Sequence, residues 1–310
     1  MSRRSLRKRR HRQADLPPPM TFWLVAFLDI LGYRSILRGF DVDAFPADNA
    51  QQSLKAAFSK AVKLRRRLLA QLEGMMQDFG DSPNVPWNTL SPEEQRITRS
   101  WRKTKVLRSP GPDHIVLGCS LAAVDGYVPL PSIYSVLTSA SITSLIQLAL
   151  GADHPDDTRP LRGGIDLAPG AFLPRENFLY SPALTRAYDL ERKAVVPRIL
   201  IGSRVADLLN GYAAPEGTTV LDGLNRVIAQ HLQQLLFIDE RDGHLTLDFF
   251  GEAMRSILDS PQSVDLAHKA WRYADQAVRI ARSSFTPDII AKYEWLVAYM
   301  NSRRTFWGIP

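Results

Sequence analysis

Residues 22–33 run Phe22-Trp23-Leu24-Val25-Ala26-Phe27-Leu28-Asp29-Ile30-Leu31-Gly32-Tyr33. The apolar run from Phe22 to Leu28 carries three aromatic residues and Val25, all strand formers, and is too short to span a membrane, so it predicts a strand covered on both faces. The run stops at Asp29. Gly32 then turns the chain toward a helix through about Leu37, leaving a carboxylate at a strand's C-terminal edge beside a helix start. A second carboxylate follows at Asp113, where Val106-Leu107, Pro110-Gly111-Pro112-Asp113 and Ile115-Val116-Leu117 predict two strands joined by a tight turn. Two strand-edge carboxylates are what two divalent cations need in phosphoryl transfer. A turn former or helix cap is the other reading of each.

Working outward, Leu54, Phe58, Ala61, Leu64, Leu68, Leu72 and Met75 recur at helical spacing, so about Ser53 to Gln77 reads as an amphipathic helix with a basic outer stripe. Gly80, Pro83, Pro86 and Pro92 mark an irregular insertion, extending to about residue 104. Leu130 to Leu150 reads as a buried helix. Leu161 to Gly170 reads as a glycine-marked strand and turn, and Ser181 to Leu190 as a helix. Val195 to Ile201 reads as a strand whose Pro197 suggests an edge or bulge. Ile238 to Leu247 is a hairpin with an Asp242-Gly243 turn, and helical periodicity resumes after Gly251 through about Tyr299. The expected fold is α+β, a ferredoxin-like, mostly antiparallel sheet with flanking helices packed on one side. Its expected divisions are an arm at 1–20, a domain at 21–252 with the insertion at about 78–104, and a helical extension at 253–310.

The chain has 310 residues, 45% apolar and 23% charged, with a formal charge of +7. Seven arginines and lysines against Asp15 alone place +6 of that charge in the first twenty residues. Such an arm reads as a disordered tail and argues against a nucleic-acid-binding domain, with contact to nucleic acid or anionic lipid as the other reading of the arm itself. Its Ser2-Arg3-Arg4 is followed by no apolar export segment, and no membrane span is expected. The single Cys119 excludes an intrachain disulfide and fits a reducing cytoplasm; its apolar surroundings read as core. The six histidines show no zinc-like spacing, and His114 reads as a surface residue beside Asp113.

The Phe27-Leu28-Asp29-Ile30-Leu31-Gly32-Tyr33 segment resembles the signature that opens class III nucleotide cyclase domains. The ordered set with Asp113, Arg162-Gly163-Gly164-Ile165, Ser181-Pro182-Ala183-Leu184, Ala187-Tyr188, Leu190-Glu191 and Pro197-Arg198-Ile199 is similar to the bacterial pyrimidine nucleotide cyclases of the Pycsar antiphage systems. The resemblance covers roughly residues 22 to 250. It implies that Asp29, Asp113 and the backbone carbonyl of Ile30 hold two Mn2+ or Mg2+ ions, and that Leu31, Gly32 and Tyr33 cradle the phosphates. It further implies a homodimer with sites at the interface, conversion of UTP or CTP to a 3′,5′-cyclic monophosphate, and a separate effector switched on by that product during phage infection.

Purine cyclases carry an Asn and an Arg four residues apart on the helix after the glycine-rich strand; here Thr185 and Asp189 align with them. That argues for a pyrimidine enzyme whose transition-state arginine lies elsewhere, with Arg108, Arg162 and Arg192 as candidates, or for a catalytically silent nucleotide-binding module. For base selection the resemblance points to Phe22 and Arg108, an aromatic face and a forked donor, with Tyr188 a further pocket residue. Core packing for Phe22 and Tyr188 and a surface ion pair for Arg108 remain the plainer readings.

Overall fold

The computed structural model describes residues 20–31, 55, 59, 62, 66, 91–102, 106–111, 114–153, 158–173, 178–214, 219–284 and 286–310. The opening apolar run forms β1 (Thr21–Ile30). Leu24, Ala26 and Leu28 are buried in one apolar cluster and Trp23 and Val25 in another, as alternation across a strand covered on both faces requires. β1 pairs antiparallel with β3 (His114–Ser120) on one side and β4 (Leu161–Leu173) on the other. β2 (Leu107–Pro110) pairs with β3 in the expected hairpin. Beyond β4 the sheet continues through β6 (Ile199–Ile201) and β8 (His244–Leu247) to β7 (Leu236–Asp239), while β5 (Phe178–Tyr180) pairs with the end of β4. β4 and β6 are parallel and the other pairs antiparallel, so the fold is α+β around an eight-stranded, mostly antiparallel sheet.

The buried helix is α2 (Leu130–Asp153), lying against β1 and β3. It is long and apolar enough to cross a membrane, yet 83% of its most apolar window is buried inside this fold. Its Thr138, Thr143 and Ser144 hydroxyls donate to carbonyls four residues back, which satisfies them in the core. Ahead of it, within the expected insertion, lies α1 (Pro92–Arg102). Ser91 and Glu94 close it reciprocally: Ser91 N donates to Glu94 Oε2 (2.8 Å) and Glu94 N to Ser91 Oγ (3.2 Å). Lys55, Ser59, Val62 and Arg66 are helical where a helix was expected. The basic arm, Gly32, Tyr33 and Asp113 lie outside the described residues.

Three expectations change. α3 (Pro182–Lys193) covers the sheet face opposite α2, packing Ala183 and Ala187 on Trp23, Val25 and Ala168, so helices flank the sheet on both sides. β4 continues through Ala168-Pro169-Gly170, which pair with Trp23, Phe22 and Thr21, where a turn was expected. Strand pairing over the whole length of β1 outweighs the local turn preference of Pro169-Gly170. Pro197 precedes β6, which is an interior strand between β4 and β8. α4 (Ser203–Ala213) and α5 (Val220–Gln234) pack on each other. Toward the C-terminus follow α6 (Glu252–Ile257), α7 (Pro261–Ser284) and α8 (Pro287–Asn301), with α7 against both α2 and α8.

Candidate active site

Asp29 lies one residue from the end of β1 and is 6% exposed. Register sets its neighbours: it is paired with His114 on β3 and with Arg162 on β4. Directly paired residues share a face, and Arg162 Nη2 lies 3.3 Å from Asp29 Oδ2. The same nitrogen is 2.6 Å from Glu191 Oε1 on α3. That helix reaches the sheet over Gly164, where a Cβ would stand 2.2 Å from the Ala187 carbonyl oxygen and 2.4 Å from Leu190 Cβ. Only glycine permits this approach.

Two residues back from Asp29, on the same face, Phe27 stacks on the His114 ring at 4.8 Å and meets Tyr188 edge-on at 5.4 Å. These three rings form part of a largely apolar cleft of about 370 Å³ between the β1–β3–β2 face and α3. Arg108 and Ser109 of β2 bring polarity to its lining, and Leu184, Thr185 and Tyr188 of α3 close the other side. Phe172, Phe178 and Leu179, around the β4–β5 pairing, complete that wall.

Among the expected site residues, the fold brings Asp29 and Arg162 together and places Arg108 and Tyr188 in the adjoining cleft. Ile30 pairs with Leu161, and buried Leu31 donates its N–H to Pro160 O at 2.9 Å. Phe22 pairs with Pro169 at the far end of β1 and is 52% exposed. Alternation turns it to the face opposite Phe27, and it lies seven residue steps along the strand from Asp29, about 23 Å away. Phe22 therefore does not reach this chain's own cleft. Arg192 is exposed on α3. His114, read as a surface residue, is a half-buried wall of the cleft.

Phe27 and Glu191 were missed as site residues, although both carry a signal. Counting back two from Asp29 along a strand gives Phe27, and Leu184, Thr185, Tyr188 and Glu191 follow one another at helical spacing. Cys119 is fully buried with Sγ 3.4 Å from Ser132 O, and burial pushes its thiol well above the ordinary range, which suits core and not nucleophile.

Among the described residues no group of three His, Cys, Asp or Glu side chains is placed to hold a metal ion. Asp29, the described side chain of the expected metal pair, is engaged by Arg162 Nη2 at 3.3 Å, and Asp113 lies outside the described residues.

No protein-family model matches this sequence, and no curated protein matches it. Among solved structures, that of a bacterial light-regulated adenylyl cyclase is similar over 70% of this chain and 59% of that chain, at 13% identity and a TM-score of 0.34. So distant a likeness assigns neither site nor activity. The chain spans less than two thirds of that protein's length.

Proposed function

We propose that this chain is a nucleotide cyclase that converts a pyrimidine nucleoside triphosphate, UTP ahead of CTP, to its 3′,5′-cyclic monophosphate and pyrophosphate. The observation that carries the reading is the aromatic cleft beside Asp29, on the motif-bearing strand edge. Phe27 and Tyr188 offer ring surfaces to a small flat base, and Arg108 supplies a forked donor suited to a pyrimidine's carbonyl edge. Asp29 would hold the divalent ions with Asp113 and the Ile30 carbonyl, as the resemblance implies. Bound there, the ions supply charge neutralisation at the phosphates. Arg108 is the favoured partner for charge developing in the transition state, since α3 presents Thr185 to the cleft where purine cyclases carry asparagine. A contact from Phe22 to the base requires a second copy of the chain, consistent with the head-to-tail homodimer that the resemblance implies. The resemblance likewise suggests that the product is a messenger in antiphage defence that activates a separate effector.

Purified protein incubated with each nucleoside triphosphate and Mn2+ is expected to yield a cyclic pyrimidine monophosphate by mass spectrometry. Asp29→Asn should reduce the rate at least about 100-fold, the equivalent of several kcal/mol of lost charge stabilisation. No cyclic product from any nucleotide sinks the proposal. A second reading, a silent nucleotide-binding module, is favoured by the Asp29–Arg162 ion pair and by the absent asparagine and arginine; it predicts bound nucleotide without turnover.

A further inference from the structure

Resting on the reading of the cleft as a nucleobase site, we propose that His114 contacts the base through its ring edge and that Gly111 is the positioning residue that seats the ring there. The sheet order β2-β3-β1 puts Phe27 on one side of His114 and the end of the β2 hairpin on the other. Phe27 stacks on the ring at 4.8 Å between centroids, 21° from parallel. From the other side comes Gly111, where a Cβ would stand 2.2, 2.3 and 2.6 Å from His114 Cε1, Nε2 and Nδ1. Distances so nearly equal put that position over the flat of the ring, not beyond its rim. Gly111 N donates to His114 O at 2.8 Å, which holds the two residues together across the turn. Gly111 is not among the glycines of positive φ, so it is the ring and not the backbone that demands glycine here.

A ring covered on both faces has its edge left to offer the cleft it lines, and an imidazole edge carries two nitrogens. Register makes that edge the polar end of an apolar slot. Phe27 pairs with Val116 and Val116 with Ser109, so these three form one row on the cleft face, and His114 follows two residues away on the same face of β3. α3 sets Thr185 and Tyr188 opposite. Such a slot suits a small flat ring whose faces meet Phe27 and Val116 and whose rim alternates carbonyl and N–H, as uracil's does, because imidazole and hydroxyl groups can each donate or accept. Holding the histidine in place beforehand spares the cost of ordering it when the base arrives. No covalent step is involved.

The test uses the full chain in EDTA, so that no metal takes part. With the histidines 13C-labelled, uridine is expected to move the ring signal of His114, identified by its loss in His114→Ala, while those of His231, His244 and His268 stay in place and ribose alone moves none. By calorimetry His114→Ala should weaken UTP binding about tenfold, the effect of one lost hydrogen bond. Gly111→Ala displaces the ring and should weaken it similarly, yet in the His114→Ala background the same change should add nothing, since the ring it would strike is gone. A purely structural role for the pair would lower Tm while leaving UTP affinity and the His114 signal untouched, and that result overturns the inference. So do additive losses from the two substitutions, or a His114 signal that ribose moves as far as uridine does. Should His114→Ala fail to fold, His114→Leu supplies the same assignment and comparison. Cyclic product from UTP and Mn2+ with a His114 signal that uridine leaves unmoved overturns this inference and leaves the cyclase reading standing. The expected shifts and losses without any cyclic product uphold it and overturn the cyclase reading in favour of the silent module.

Discussion

At Arg198, 3% exposed, one side chain ties the loop before β6 to the β7–β8 hairpin. Its Nη1 donates to Asp239 Oδ2 (2.6 Å) and Asp242 Oδ1 (3.0 Å). Asp239 also accepts from Arg241 Nε (2.9 Å) and from Trp295 Nε1 of α8 (3.2 Å). The Arg241 hydrogen bonds, with the charge of Arg198 behind them, hold the Asp239 carboxyl well below the usual carboxylate range. Removing one member strands the others, so Arg198→Met should lower stability by about 3–5 kcal/mol in urea titration. Because the folded value is depressed, the stabilisation is present above the unfolded carboxyl's pKa, near 4, and is lost as pH falls toward the folded one. Thermal melts should therefore fall steeply below about pH 5 in wild type and less steeply in Asp239→Asn, which starts lower at neutral pH; parallel curves would remove Asp239 from the account. The partners of Arg198 stand 41 and 44 residues away, and no local pattern in the sequence names them.

At the scale of elements, the seat of α3 on the sheet matters most. Gly164→Ala places a methyl within 2.2 Å of the Ala187 carbonyl, backbone that cannot step aside cheaply. The helix must lift, and overpacking of this kind costs about 1–3 kcal/mol. Because the displaced helix carries Glu191, Thr185 and Tyr188, the variant should lose nucleotide affinity along with Tm. Unchanged Tm and unchanged binding would show that α3 is not seated there. The helix itself was legible: Ser181 caps it, accepting from Ala183 N at 3.1 Å, and Pro182 begins its first turn. Its side of the sheet was not, because Ala183, Ala187 and Ala168 are weak hydrophobic signals until Gly164 lets them meet. Likewise α1 carries a Ser91-Pro92-Glu93-Glu94 start signal inside a stretch whose prolines argue for irregularity.

Across the whole molecule, α7 and α8 are part of the main core. Ala267, Ala270, Tyr273, Leu296 and Met300 are buried in the same cluster as Leu24, Leu28 and the apolar residues of α2. Trp307, 2% exposed, stacks on Phe250 at 5.4 Å and donates to the Phe250 carbonyl at 2.9 Å. Ending the chain after residue 259 uncovers α2, so the product should be insoluble or melt without a cooperative transition. Trp307→Ala alone should cost about 3–5 kcal/mol. A truncated chain that unfolds cooperatively would make the C-terminal helices a separate unit.

Local chemistry was enough to read β1 and its terminal carboxylate, the two hairpins, the burial of α2 and the helical end of the chain. Hydrophobic period and turn residues act over a few positions, and those positions are contiguous. The site needed the assembled fold. Asp29, Arg162 and Glu191 meet through strand register and helix seating, and Phe27, His114 and Tyr188 become one cleft for the same reason. Phe22 marks the boundary, since an aromatic strand residue is visible in the chain while its face and distance from Asp29 follow from alternation in a sheet whose register is set by long-range pairing.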